Sequence, residues 1–220
     1  MSIAFSHRLQ SACTELDISL TDEQQASLLR YIEQLAKWNK TYNLTALRDP
    51  EQMLIQHLFD SLSIVKPLGV HARKKGLESL NIVDVGSGAG LPGVVLATAC
   101  STWNVSCVDA VEKKIAFIRQ MANVLGLGNL YALHNRVEDI PPMQADVVTS
   151  RAFSSLLDFV HLSSKHIKPG GSLLAMKGKH PHDEIADLEA HSRWRVTAVE
   201  SLTVPELDAQ RCLLWLSEKE

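Results

Sequence analysis

The chain has 220 residues, 45% hydrophobic and 21% charged, which suits one globular domain with a modest appendage and is too little for two full-sized domains. Eight Pro and eleven Gly without a biased tract exclude a collagen-like or disordered chain, and an aromatic share of 5% argues for a mixed α/β fold over an all-β sandwich. A formal charge of -3 excludes the chain as a whole as an electrostatic nucleic-acid binder, so any polyanion has to be met by a local basic face.

From the amino terminus, Met1 to Leu16 mix polar and charged residues with no apolar stretch, and no later run approaches the ~18 apolar residues of a membrane span. A cytoplasmic protein with no signal peptide and no membrane partner is expected. Cys13, Cys100, Cys107 and Cys212 lack CxxC spacing and are expected as free thiols. Thr21-Asp22-Glu23-Gln24 has capping-box form, and Leu28, Leu29, Ile32, Leu35 and Ala36 follow at helical spacing to about Trp38. Asp49-Pro50 starts a second helix with Leu54, Leu58, Leu62 and Val65 as its buried stripe. Residues 1–70 therefore read as a helical cap and 71–220 as the main domain, with His71 to Gly76, including Arg73-Lys74-Lys75, as an exposed seam between them. The cap holds six Lys or Arg against eight Asp or Glu, so packing or shaping a substrate suits it better than gripping a polyanion.

From Asn81 the period changes. Ile82 to Val85, Val105 to Val108, Tyr131 to Leu133, Val147 to Thr149 and Leu173 to Met176 read as five parallel strands. Pro92 to Ala99, Val111 to Leu125, Ser155 to Ile167 and Glu184 to His191 read as helices around them, and Lys168-Pro169-Gly170-Gly171 as the turn before the fifth strand. Arg195 to Thr203 and Arg211 to Ser217 lie too close for a crossover helix and should pair antiparallel at the sheet edge. The expected fold is an α/β, Rossmann-like, doubly wound sheet of seven strands with a small N-terminal helical cap, binding its ligand beyond the carboxyl ends of the strands where their order reverses.

Asn81 to Gly93, reading Asn-Ile-Val-Asp-Val-Gly-Ser-Gly-Ala-Gly-Leu-Pro-Gly, is a buried strand that enters a Gly-rich turn and then a helix. A dinucleotide fingerprint would need Gly at 91, which is Leu, and Asp84 would repel a pyrophosphate. A carboxylate ahead of the turn suits a ligand carrying an ammonium and a sulfonium, with N–H groups of the turn left for its carboxylate; S-adenosylmethionine is such a ligand. The glycines, Gly86 and Gly88 among them, allow close backbone approach to it, and Asp109, twenty-five residues after Asp84, is placed to accept from both ribose hydroxyls or to cap the next helix. Asn135 to Asp139 would lie over the adenine, with Val137 against the ring. Arg151, after the fourth strand, suits the cofactor carboxylate or a structural ion pair. Lys177, Lys179 and His180 join Arg136 and Lys168 as a discontinuous basic margin despite the acidic total. His180 and His182 flank Pro181 without companions at ligand spacing, so no metal is expected, and His57 reads as a buried hydrogen-bonding residue.

The chain resembles the bacterial small-subunit ribosomal RNA guanine-N7 methyltransferases, also called glucose-inhibited division protein B. The likeness rests on Trp38 to Thr45, His57 to Leu62, Asp84 to Gly93, Arg136-Val137-Glu138, Ser150-Arg151-Ala152 and Met176-Lys177-Gly178. It implies a class I S-adenosylmethionine-dependent methyltransferase fold, with cofactor contacts at Gly86, Leu91, Val137, Glu138 and Arg151. The implied product is 7-methylguanosine in the 530-loop region of 16S rRNA, met in the 30S subunit or an assembly intermediate by what is expected to be a monomer. With that target, Lys177, Lys179 and Arg136 are expected to meet the RNA backbone, and Arg151 an RNA phosphate or guanine O6 if it is not spent on the cofactor. Guanine N7 has a free lone pair and no proton, so this displacement needs positioning and no general base, and no catalytic side chain is assigned. An RNA-binding assembly factor that keeps the pocket, a methyltransferase acting on a small molecule or protein, and a nucleotide-dependent oxidoreductase remain the alternatives.

Overall fold

In the computed structural model, which describes residues 3–151 and 153–219, the aliphatic runs pair as a sheet. β1 (Asn81–Val85), β2 (Asn104–Asp109), β3 (Leu130–His134), β4 (Ala145–Ser150) and β5 (Ile167–Lys177) are parallel. β6 (Trp194–Ser201) and β7 (Cys212–Glu218) form the antiparallel pair, with β7 also antiparallel to β5, in the order β3-β2-β1-β4-β5-β7-β6. Every residue of β4 is buried, as a central strand covered on both faces requires. β1, flanked by β2 and β4, is where the strand order reverses, and its carboxyl end opens the crevice. No helix among the described residues is long and apolar enough to cross a membrane.

The cap comprises α1 (Ile3–Glu15), which the sequence reading did not anticipate, α2 (Asp22–Tyr42), α3 (Pro50–Met53), a π-helical turn at Leu54–Phe59, α4 (Asp60–Leu62) and α5 (Val65–Lys74). Around the sheet lie α6 (Gly93–Ala99), α7 (Glu112–Val124), α8 (Leu156–Ser163) and α9 (His182–His191). The capping box at α2 is complete: Gln24 N–H donates to Thr21 Oγ1 at 3.2 Å and Thr21 N–H to Gln24 Oε1 at 2.9 Å. Gln24 Nε2 then donates to the carbonyls of Thr98 and Ala99, each at 3.0 Å, satisfying groups that the end of α6 leaves open. Further along α2, fully buried Tyr31 donates its hydroxyl to the Ala89 carbonyl at 2.9 Å. Leu28, Ile32 and Leu35 of α2 share one apolar cluster with Val94 and Ile118, so cap and sheet have a common core.

Three expectations are corrected. The seam is no linker, because α5 continues through Lys74 and the boundary expected at 70/71 falls inside it. Pro67 sits in the first turn, where its missing N–H costs no bond, and the His71 ring stacks on Trp215 with centroids 4.3 Å apart. Arg73, Lys74 and Lys75 are exposed at the end of that helix, where cations favour the terminal carbonyls. Lys168 to Gly171 is not a turn ahead of β5 but lies within it: between the pairs Ala145↔Ile167 and Val147↔Ser172 the register slips, and the extra residues bulge. Lys168 thereby pairs with Asp146 at the amino end of the sheet, whereas Lys177 ends the same strand at the carboxyl end, so they do not share a rim. Finally, the helix from Asp49-Pro50 widens into a π turn before Asp60, a rare conformation often found at functional sites.

Replacing Tyr31 with Phe strands the buried Ala89 carbonyl and is expected to cost about 1–2 kcal/mol, lowering the calorimetric midpoint by about 4 °C. An unchanged midpoint would mean that this bond does not fasten the cap to the turn.

Candidate functional site

The turn after β1 is closed by its own backbone. Gly86 and Ser87 N–H groups donate to the Val108 carbonyl at 2.9 and 3.2 Å, and Gly90 and Leu91 to the Ser87 carbonyl at 2.8 and 2.9 Å. Gly88, at a φ of +60° that favours glycine, donates to Asp109 Oδ2 at 2.9 Å. The expectation that these N–H groups remain for a ligand carboxylate is therefore corrected for Gly86, Ser87, Gly88, Gly90 and Leu91, whose donors the turn consumes. Asp109 accepts from Val111 N–H through its other oxygen at 2.8 Å, so it both holds the turn and starts α7. Each of its oxygens keeps a second lone pair for a hydroxyl donor.

Asp84 lies beneath the turn and not on the cleft wall, which corrects its expected direct contact with a ligand ammonium. It is fully buried, and Oδ2 accepts from Gly93 N–H at 2.8 Å at the start of α6. Only glycine permits this approach, since a Cβ at 93 would stand 2.9 Å from that oxygen and 2.3 Å from Cys107 Sγ. Oδ1 has no hydrogen-bond partner among the described residues. Burial raises the Asp84 pKa to about 7, against the opposing pull of the Gly93 N–H and Arg151.

Above the turn is a cleft of about 510 Å³ at the carboxyl ends of β1, β4 and β5. Gly86, Gly88 and Leu91 line one side, the cap supplies Thr45, His57 and Asp60, and Arg151, Lys177 and Arg211 close it. The buried Asp60 carboxylate joins two of these walls: Oδ2 accepts from Arg151 Nη1 at 2.8 Å and Oδ1 from Arg211 Nε at 2.9 Å. Arg151 Nη1 also reaches the Gln56 carbonyl at 3.2 Å. Two guanidiniums on one carboxylate leave an excess positive charge. His57 meets Thr45 Oγ1 through Nε2 at 2.8 Å, and burial, then Arg151, lower its pKa to about 4, so the ring is neutral at pH 7. The sequence reading singled out neither Asp60 nor Arg211 as a site residue. For Arg211 a signal existed: a strand antiparallel to β5 must begin at the rim where β5 ends, and Cys212 indeed opposes Lys177.

Lys177 lines the cleft, but its ammonium is engaged by the Phe153 and Ser154 carbonyls at 3.1 and 3.4 Å and by Glu184 Oε2 at 2.7 Å. Those partners use its three N–H donors, which corrects its expected contact with an RNA phosphate. Lys179 is exposed, and exposed Arg136 pairs with Glu138 at 3.6 Å. Val137 is buried in a short 3-10 turn whose carbonyl accepts from His166 Nε2 at 2.9 Å. The structure thus brings Gly86, Gly88, Leu91, Arg151 and Lys177 to one cleft and leaves Asp84, Asp109, Val137, Glu138, Arg136 and Lys179 outside its lining. Ala152, part of the Ser150-Arg151-Ala152 string, lies outside the described residues. Among the described residues no group of three or more His, Cys, Asp or Glu is arranged to hold a metal ion.

The two shifted groups act oppositely on stability. Asp84 keeps its proton to about pH 7 when folded against an ordinary 3.8, so its contribution is full below 3.8 and is lost as pH rises through 7, about 4 kcal/mol in all. His57 binds its proton at 6.5 unfolded but only at about 4 folded, so stability falls as pH drops through that interval. In urea midpoints measured from pH 4 to 8, Asp84→Asn is expected to flatten the alkaline loss and His57→Gln the acidic one; profiles that coincide with the parent's would refute both assignments.

A family model described as rRNA small subunit methyltransferase G (GidB) matches residues 24–214. The protein named ribosomal RNA small subunit methyltransferase G from Bordetella pertussis (strain Tohama I) is 57% identical over 217 residues, covering 98% of this chain and 94% of its own. The protein of that name from Bordetella avium (strain 197N) is 56% identical over 218 residues, covering 99% and 96%. A crystal structure of a SAM-dependent methyltransferase from Aquifex aeolicus, 21% identical, superposes with a TM-score of 0.57 over 79% of this chain and 96% of its own, a likeness of fold. The matched span contains the Gly-rich turn, Asp60, Arg151 and Arg211, and the chain belongs to the rRNA small subunit methyltransferase G family.

Proposed function

We propose that this chain moves the methyl group of S-adenosylmethionine to N7 of a guanine in the 530-loop region of 16S rRNA, as a cytoplasmic monomer acting on the 30S subunit or an assembly intermediate, with no residue serving as general base. The observation that carries this reading is the state of the acid-base groups around the cleft. Asp60 is taken by two arginines, Glu184 by Lys177, and His57 has a pKa of about 4, too low for an effective proton acceptor at pH 7. Asp84 is near 7 but lies under the turn. Such a cleft suits an acceptor that is already nucleophilic. Guanine N7 is one, whereas an exocyclic amine has a proton to lose.

The residues fit the cofactor. A Cβ added at Gly88 would enter open space above the turn, and the buried Oδ1 of Asp84 lacks a hydrogen-bond partner among the described residues. When bound, S-adenosylmethionine supplies an electrophilic methyl group on a sulfonium. Gly86, Gly88 and Leu91 give the backbone surface for it, Asp109 accepts from the ribose hydroxyls, and Val137 and Glu138 serve the adenine end. Arg151 takes the carboxylate. Asp84 acts from beneath as a negative charge whose ionisation is coupled to the cationic ligand. The protein's share of the catalysis is alignment and exclusion of water. The excess positive charge of the two arginines favours RNA at the cleft despite the acidic total.

Reduction and aniline cleavage of rRNA from cells with and without the protein is expected to show strand scission in the 530 loop only when the protein is present; its absence from both samples would refute the reading. S-adenosylhomocysteine is expected to raise the thermal midpoint and NADH to leave it unchanged. Lys177→Ala is expected to lower the midpoint by about 3 °C, for about 1 kcal/mol, because Glu184 keeps only the Leu156 N–H, while the KM for RNA stays within about twofold. A tenfold rise in that KM at unchanged stability would restore Lys177 as an RNA contact.

A further inference from the structure

The two arginines on Asp60 differ in what they leave open. Arg211 commits Nε to Asp60 Oδ1 at 2.9 Å and Nη1 to the Gln210 carbonyl at 2.9 Å; among the described residues its Nη2 makes no hydrogen bond. Arg151 commits Nη1 alone, to Asp60 Oδ2 and the Gln56 carbonyl. Three elements distant in the chain therefore meet on one carboxylate: Asp60 from the cap, Arg151 from the end of β4 and Arg211 from the start of β7. Both arginine side chains are about a quarter exposed, at 23% and 25%, whereas that of Asp60 is 5% exposed. The carboxylate thus has a structural task and the guanidiniums face the cleft.

A partly desolvated guanidinium with open N–H groups is a receptor for an oxyanion. Two oxyanions belong in this cleft under the function proposed above, the cofactor carboxylate and an RNA phosphate. The other common partner of arginine is the O6/N7 edge of guanine. A bidentate contact there would cover the nitrogen that has to attack. Arg211 also borders Gly178, where an added Cβ would meet only its Nη1, at 4.0 Å, so no side chain at 178 screens this guanidinium, while Arg151 is given to the cofactor carboxylate in the function proposed above.

We infer that Arg211 is a substrate-binding residue that grips a backbone phosphate next to the target guanine, and that Asp60 is a positioning residue that keeps Arg211 for the RNA and Arg151 for the cofactor. This division rests on the rRNA methylation proposed above. Asp60 touches neither ligand and acts through the two guanidiniums it orients.

The test uses the full chain. Binding of S-adenosylhomocysteine is measured by calorimetry, and tritium transfer from labelled S-adenosylmethionine to unmodified 30S subunits and to protein-free 16S rRNA is followed across a salt series. Arg211→Gln is expected to raise the KM for RNA about tenfold and to reduce the slope of log(kcat/KM) against log[salt] by about one, with S-adenosylhomocysteine affinity kept within about twofold. Arg211→Lys, which retains the charge, is expected to recover most of that slope. Arg151→Gln is expected to weaken S-adenosylhomocysteine about tenfold, and the isosteric Asp60→Asn to impair both ligands. Retained S-adenosylhomocysteine binding shows that Arg211→Gln is folded, and a cooperative thermal transition shows it for Arg151→Gln and Asp60→Asn. An unchanged salt slope in Arg211→Gln, or a loss of S-adenosylhomocysteine affinity equal to that of Arg151→Gln, overturns the division while leaving the methylation standing. A parent enzyme inactive on both RNA probes overturns the methylation and this inference with it.

Discussion

The hydrogen bond from Gly93 N–H to the buried Asp84 carboxylate sets the geometry on which the site depends. It brings α6 against β1 so closely that residue 93 has no room for a side chain, and the intervening chain must fold into a tight turn. That turn then takes up most of its own N–H groups on the Val108 and Ser87 carbonyls and on Asp109. Gly86, Ser87, Gly88, Ala89 and Leu91 are what it presents to the crevice. Desolvation of Asp84 is the cost, visible in its raised pKa, and it places a titrating group directly under the place where a cationic ligand is expected.

The cap completes the site and is not an independent unit. Tyr31 and Gln24 fasten α2 to the turn and to the end of α6, and the apolar cluster runs without a break from α1 to β7. The segment Asn39 to His57 is held by its own polar network: Asn39 donates to the Leu47 carbonyl at 2.7 Å and accepts from Thr45 N–H at 2.9 Å. Thr45 in turn meets His57. This network carries the cap wall up to Asp60, where it meets the arginines of the sheet. Recognition of RNA by a chain of negative net charge becomes intelligible at this junction, because what matters is the local surplus of two guanidiniums over one carboxylate.

Much of this was legible in the sequence, for reasons that differ by element. The strands were legible because burial on both faces demands uninterrupted aliphatic residues such as Ile82-Val83 and Val147-Val148, and the closing hairpin because the loop before Arg211 is too short for a crossover. The capping box of α2 was equally plain. α1 was not, since it buries only Leu9, Ala12 and Cys13, too narrow a stripe to stand out in the sequence. The sequence also misplaced Lys168 and misjudged Lys177, because a bulge in β5 and the partner Glu184 are facts of register and tertiary contact that spacing does not encode. The pairing of Asp60 with Arg211, 151 positions apart, is the extreme case: each looks like an ordinary surface charge until the sheet places them together.

The placement of β7 between β5 and β6 has a bearing on biosynthesis. β6 is made before β7 yet pairs with β7 alone, and β5 has β7 as its neighbour on that side. While a nascent chain lacks Cys212–Glu218, β5 therefore presents an unpaired edge of apolar residues and β6 has no strand to pair with. Edges of this kind recruit other chains. Chaperone dependence during translation, and aggregation of chains interrupted within the loop ahead of β7, follow from the order in which these three strands emerge.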